Sequence, residues 1–137
     1  MLAECGWHAG RDVSAALKLP KDFVIFPTVQ RILAEFGNLK CGKRGPGIEC
    51  ARSTLNLDPS LAEGESDRFK PYSQLIGSKL YPLGEGDDGH YFVAVDERGR
   101  VFLVMDFLMF VADSFEVALE NLLLGRKPRP VDEQGKY

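Results

Sequence analysis

The sequence predicts an α+β domain with a mainly antiparallel central sheet flanked by helices. Helical patterns lie near both ends with several consecutive strand patterns between them, an order that opposes alternating βαβ units. The two clearest strands, Tyr91 to Val95 and Val101 to Met105, are apolar on both faces, so the sheet needs cover on each side. A chain of 137 residues with 45% hydrophobic content supports one sizeable core and is too short for two ordinary domains.

The elements follow in order. Gly6, Trp7, Gly10 and Arg11 form a turn-like entry, and a short helix over Ser14 to Lys18 is stopped by Pro20. Val29, Ile32, Leu33 and Phe36 recur at i, i+3, i+4 and i+7, with Pro27 near the first helical position and Gly37 past the end, which predicts a helix of about ten residues. Leu39 to Cys41 and Ser53 to Leu57 read as short strands around the loop Gly42 to Gly47. Asp58 to Phe69, with Asp58, Glu63, Glu65 and Asp67, reads as an exposed acidic loop. Tyr72 to Gly77 adds a short helix, and Lys79 to Leu83 begins a strand.

Asp96 to Gly99 joins the two apolar strands as a hairpin, Asp suiting turn entry and Gly a left-handed position. Phe107 to Ala112 is a further strand. Asp113 to Glu116 has the form of a capping box, and the stripe Phe115, Ala118, Leu119, Leu122 and Leu123 ends at Gly125. Residues 1–125 therefore form the domain, and 126–137, with two prolines and alternating charge, are expected to bury little and hang as a flexible tail.

Composition narrows the function. Lys plus Arg number 17 against 20 Asp plus Glu, giving a net charge of -3 and opposing unaided binding to nucleic acid or an anionic membrane. No apolar run approaches the roughly 20 residues of a membrane span, and no basic start leads into an apolar segment. The chain reads as soluble and cytoplasmic. Cys5, Cys41 and Cys50, odd in number and without framework spacing, are expected as reduced thiols.

Chemical motifs are sparse. Gly84 to Gly89 matches G-x-G-x-x-G, yet it leads into a strand instead of a helix N-terminus, and Glu85, Asp87 and Asp88 would repel a phosphate; a strand-connecting turn is the reading. Asp87, Asp88 and His90 are too few for a metal site and lack the order of a calcium loop. Cys41 and Cys50 with a histidine have no C-x-x-C pair to suggest zinc. His8 and His90, the two imidazoles, have no nucleophile motif nearby. Lys40, Lys43, Arg44 and Arg52 surround Gly42 to Gly47 without interleaved aromatics, so a solvated basic loop is expected. Trp7 reads as an anchor for the N-terminal segment. No cofactor or metal is expected.

An ordered series of short motifs resembles the SUKH immunity-protein superfamily, and within it the third subgroup. The series is Gly6-Trp7 with Gly10-Arg11, Ile32-Leu33 through Phe36-Gly37-Asn38-Leu39, Tyr81-Pro82-Leu83-Gly84, Val95-Asp96-Glu97 with Gly99-Arg100-Val101, and Ala118-Leu119 through Gly125. The family pattern has two glycines where this chain has Gly37-Asn38, and Asn also tolerates a left-handed backbone. The resemblance implies a non-enzymatic bacterial protein of polymorphic-toxin and toxin–antitoxin systems that binds a cognate toxin, often a nuclease or deaminase, and neutralises it. It carries over no catalytic residues. Acidic loops would suit such a toxin, because complementary potential speeds encounter and mimics phosphate charge; Glu85, Asp87 and Asp88, with Asp58 and Glu65, are the expected partner contacts. Two other readings stay open: a regulatory interaction module with a housekeeping partner, and an enzyme using His90 with Asp87 or Asp88.

Overall fold

A computed structural model describes residues 2–137 of the chain. Seven strands form one sheet in chain order, every neighbouring pair antiparallel: β1 Lys40–Cys41, β2 Leu55–Asn56, β3 Leu80–Gly86, β4 Tyr91–Asp96, β5 Val101–Val104, β6 Leu108–Ala112 and β7 Arg129–Pro130. Three helices accompany it: α1 Pro27–Phe36, α2 Ser66–Ile76 and α3 Phe115–Leu124. The α+β class and the mainly antiparallel sheet are as expected.

Alternation along β4 and β5 builds a core on each side of the sheet. Val93, Val95, Val101 and Leu103 join one cluster with the apolar stripes of α1 and α3, where Phe36 and Phe115 place their ring centroids 4.9 Å apart. Ala94, Phe102 and Val104 face the other way, into a cluster with Phe69 of α2, Leu108 and Phe110. Pro82 is tolerated in β3 because that strand pairs with β2 only at Glu85 and Gly86, and a register shift follows between Pro82 and Gly84. At Gly84 the backbone of β2 comes so near that a Cβ would stand 2.1 Å from the Asn56 carbonyl oxygen.

The helix ends show which signals governed. Pro27 does occupy the start of α1. Its carbonyl end is closed by Arg11, whose guanidinium donates to Glu35 O at 2.7 Å and Gly37 O at 2.8 Å. Asn38 takes the left-handed conformation, φ 65°, that its short polar side chain permits. For α3 the cap lies one residue later than expected: Ser114, not Asp113, accepts from Val117 N, at 3.4 Å.

Two expectations are corrected. The stretch Asp58 to Phe69 is not simply a loop; a 3-10 turn spans Pro59–Ala62 and α2 starts at Ser66, continuing through Pro71. Pro71 lies in the second turn, so the helix does without the amide that would otherwise bond Asp67 O. The second correction concerns the cysteines. Cys5 and Cys41 are disulfide-bonded across 36 residues, with Cα atoms 5.2 Å apart, because the N-terminal turn Ala3–Cys5 docks against β1; Cys50 is free.

Residues 126–137 are mostly exposed, yet β7 pairs with β6, and the Tyr137 ring stacks on Phe110 at 4.0 Å while its hydroxyl accepts from Arg100 Nη1 at 3.1 Å. The Arg129 guanidinium lies over both rings. Tyr137 lies against both Phe102 and Phe110, so the tail adds cover to this face of the sheet.

Candidate partner-binding surface

The β3–β4 connection places the acidic turn. Gly86 and Tyr91 are paired, so residues 87–90 close the hairpin, and Asp87 and Asp88 both turn through positive φ, 48° and 57°. The glycine motif is thus a hairpin turn feeding a strand. Asp87 faces inward: its amide donates to Thr54 O at 2.8 Å, and its Oδ1 accepts from Thr54 N at 3.0 Å. Asp88 points to solvent and forms an ion pair with Arg44, both side chains largely exposed. Glu85, half-buried on β3, lines a shallow groove of about 280 Å³ with Lys40, Gly42, Asn56 and Asp88. Three of the five expected acids therefore come together, and they do so beside the basic loop.

Asp58 and Glu65 belong to a second acidic region. Asp58 Oδ1 caps the 3-10 turn, accepting from Ser60 N at 3.0 Å and Ser60 Oγ at 2.6 Å. Glu65 precedes α2 and lies 3.8 Å from Arg68. Asp22 folds over the same helix start and accepts from Gly64 N and Ser66 N at 3.1 and 3.0 Å. Desolvation pushes its pKa up, but these amide donors outweigh that and hold it below the usual carboxylate value. Of the five acids only Asp88 is fully at the surface; the other four are half-buried.

Both imidazoles lie at the surface. His90 is exposed, with Nδ1 against the Asp87 carbonyl oxygen inside the turn, and His8 is exposed with Nδ1 3.0 Å from Ala9 O. Among the described residues no three of His, Cys, Asp and Glu come together as a metal site, and no helix is long and apolar enough to cross a membrane.

Two features escaped the sequence reading. Under the turn, the Tyr91 ring lies over Gly86 with its hydroxyl buried and without a hydrogen-bond partner, and burial pushes the phenol pKa upward. Beside it a cleft of about 290 Å³ runs between Met105, Met109, Leu122 and the exposed Phe107. The second is the N-terminal segment: Trp7 packs on the core and donates Nε1 to Glu35 at 3.0 Å, walling an apolar groove of about 460 Å³ with Leu2, Phe36, Leu119 and Leu123. The anchoring role expected for Trp7 is what the structure has. Both features join residues distant in sequence, which no local motif announces.

A family model described as SUKH-3 immunity protein matches residues 1–125 of the chain. No curated protein and no solved structure gives a match.

Proposed function

Because the chain belongs to the SUKH-3 immunity protein family, we propose that it binds a cognate bacterial toxin domain and neutralises it by covering the active site or substrate groove, catalysing no reaction itself. The observation that carries this reading is the family match over 1–125, which takes in every helix and all strands but β7. A nuclease or deaminase is the toxin class that suits an acidic contact surface, since such an enzyme holds a cationic groove for nucleic acid. Action in the cytoplasm of the cell exposed to the toxin belongs to the same proposal.

On this reading the acids divide by what already occupies them. Glu85 and Asp88 meet the toxin directly, Asp88 exchanging Arg44 for a partner cation. Asp87 holds the turn in shape through Thr54. Asp58 and Glu65 offer a second contact region around the start of α2. Charged rims act mainly on association rate and on its salt dependence.

The test is co-purification with the protein encoded beside this chain, followed by inhibition assays at stoichiometric ratio. We expect a stable complex and full loss of toxin activity; a chain that neither binds nor inhibits that neighbour overturns the reading. Charge reversal at Glu85 and Asp88 should weaken binding by about tenfold, equivalent to about 1.4 kcal/mol, and at Asp88 it should leave the thermal midpoint nearly unchanged, since the Arg44–Asp88 pair is solvent-exposed. If charge reversal at each of the five acids leaves affinity within about twofold, the acidic contact is lost even though the immunity role stands.

A further inference from the structure

Beyond the Arg44–Asp88 pair, three more cations gather around a second concavity. Lys40 of β1, Lys43 in the loop that follows and Arg52 on the return to β2 line a pocket of about 280 Å³, with Glu4 as its one carboxylate and Leu123 of α3 behind. Among the described residues none of the three cations has an ion-pair partner.

Arg52 is set in place before any ligand arrives. Its Nη2 donates to Arg44 O at 3.4 Å, and its guanidinium packs so closely on Gly45, φ +140°, that a Cβ there would lie 2.7 Å from Nη2. Its Nε is buried and has no hydrogen-bond partner. A guanidinium already held loses little freedom on binding a carboxylate. Cys5 also lines the pocket, and its disulfide to Cys41 fixes the N-terminal turn that carries Glu4.

We propose that this pocket binds a carboxylate of a protein partner, an Asp or Glu side chain on its surface. The inference rests on the reading that the chain works by binding another protein. A nucleic acid has the right charge but the wrong extent. Glu4 stands in the pocket, and Glu85 and Asp88 line the adjoining groove that shares Lys40 and Gly42, so a phosphate chain leaving the pocket would run against three carboxylates. A single acid flanked by basic residues meets opposite charge in both places. The footprint is therefore of alternating sign, cationic pocket beside anionic turn. Such a pattern fixes register and penalises a partner with the charges shifted.

The experiment needs no toxin. The full chain, labelled with ¹⁵N, is titrated at low salt with a capped Lys-Lys-Glu-Lys-Lys peptide, and separately with inorganic phosphate and a single-stranded oligonucleotide. Saturable shifts of the Gly42, Lys43 and Arg52 amides are expected with the peptide, with affinity falling about fivefold in Lys43→Met and in Arg52→Met. Lys43 is exposed, so its variant keeps the test valid if the Arg52 variant misfolds. Tighter binding of phosphate or of the oligonucleotide than of the peptide overturns the carboxylate assignment, as does the absence of these shifts up to about 10 mM peptide. A null peptide titration alongside an inhibited toxin discards the pocket and keeps the immunity role; the opposite pair of results does the reverse.

Discussion

Strands β4 and β5 pair from Phe92↔Val104 to Val95↔Val101 and bury side chains on both faces, whereas β1 and β2 pair only at Lys40↔Asn56 and Cys41↔Leu55. The first region is held by apolar area distributed along a regular ladder. The second buries Leu55 and Leu57 but adds particular links between distant residues: the Cys5–Cys41 disulfide and the exchange between Asp87 and Thr54. The difference teaches where this protein keeps its freedom to vary. A burial pattern fixes a scaffold whatever the partner, while an edge fixed by a few point contacts leaves its remaining charged groups available to one.

The largest test of that contrast is a cavity in the ladder. Phe102 is fully buried on the second face, so Phe102→Ala should lower stability by about 3–5 kcal/mol in chemical denaturation. A loss below about 1 kcal/mol would mean that the tail and α2 collapse into the gap and that the ladder is less decisive than described.

Next comes the edge. Replacing Cys5 and Cys41 together by Ser removes a link across 36 residues and should lower the stability of the oxidised protein by about 2–4 kcal/mol. A thiol titration of the unfolded oxidised protein should find only Cys50. Three thiols in protein taken directly from a cytoplasm would show that the edge works there without its disulfide, sharpening the contrast with the core.

The smallest effect concerns alkaline pH. Burial raises the Tyr81 phenol to about 12, above its ordinary value of 10.0. Between those values the unfolded chain has lost a proton that the folded chain keeps, so stability is complete below pH 10 and falls as pH rises toward about 12. Tyr81→Phe should flatten that fall, with Tyr91, also shifted upward by burial, responsible for a remainder. A stability profile flat across this window would place Tyr81 in contact with water.

The same contrast explains what was legible in the sequence. Alternation in β4 and β5, the stripe of α3 and Pro27 at the start of α1 are local signals, and each appears in the fold close to where it was read. α2 was half-read because Pro59, Gly64 and the acids of 58–69 suggested a loop, which hid the start of the helix at Ser66. The disulfide, the docked tail and the Arg44–Asp88 pair were invisible, since each joins residues 19 or more positions apart with no spacing rule. Of the candidate surface, the turn and its acids were legible as residue types. Their orientation was not: Asp87 and Asp88 are neighbours of like charge, and only the Thr54 backbone decides that one faces in and the other out.

Trp7 is the one tryptophan of the chain, and it sits on the disulfide-anchored segment instead of in the sheet. Its indole is half-buried and hydrogen-bonded to Glu35 at 3.0 Å. The molecule thus has a native optical reporter on a single structural unit. Emission excited at the red edge of the indole band follows detachment of the N-terminal segment, while far-ultraviolet dichroism follows the sheet and helices. When the two signals melt together, edge and core form one cooperative unit; when the emission shifts first, the edge is a separate one.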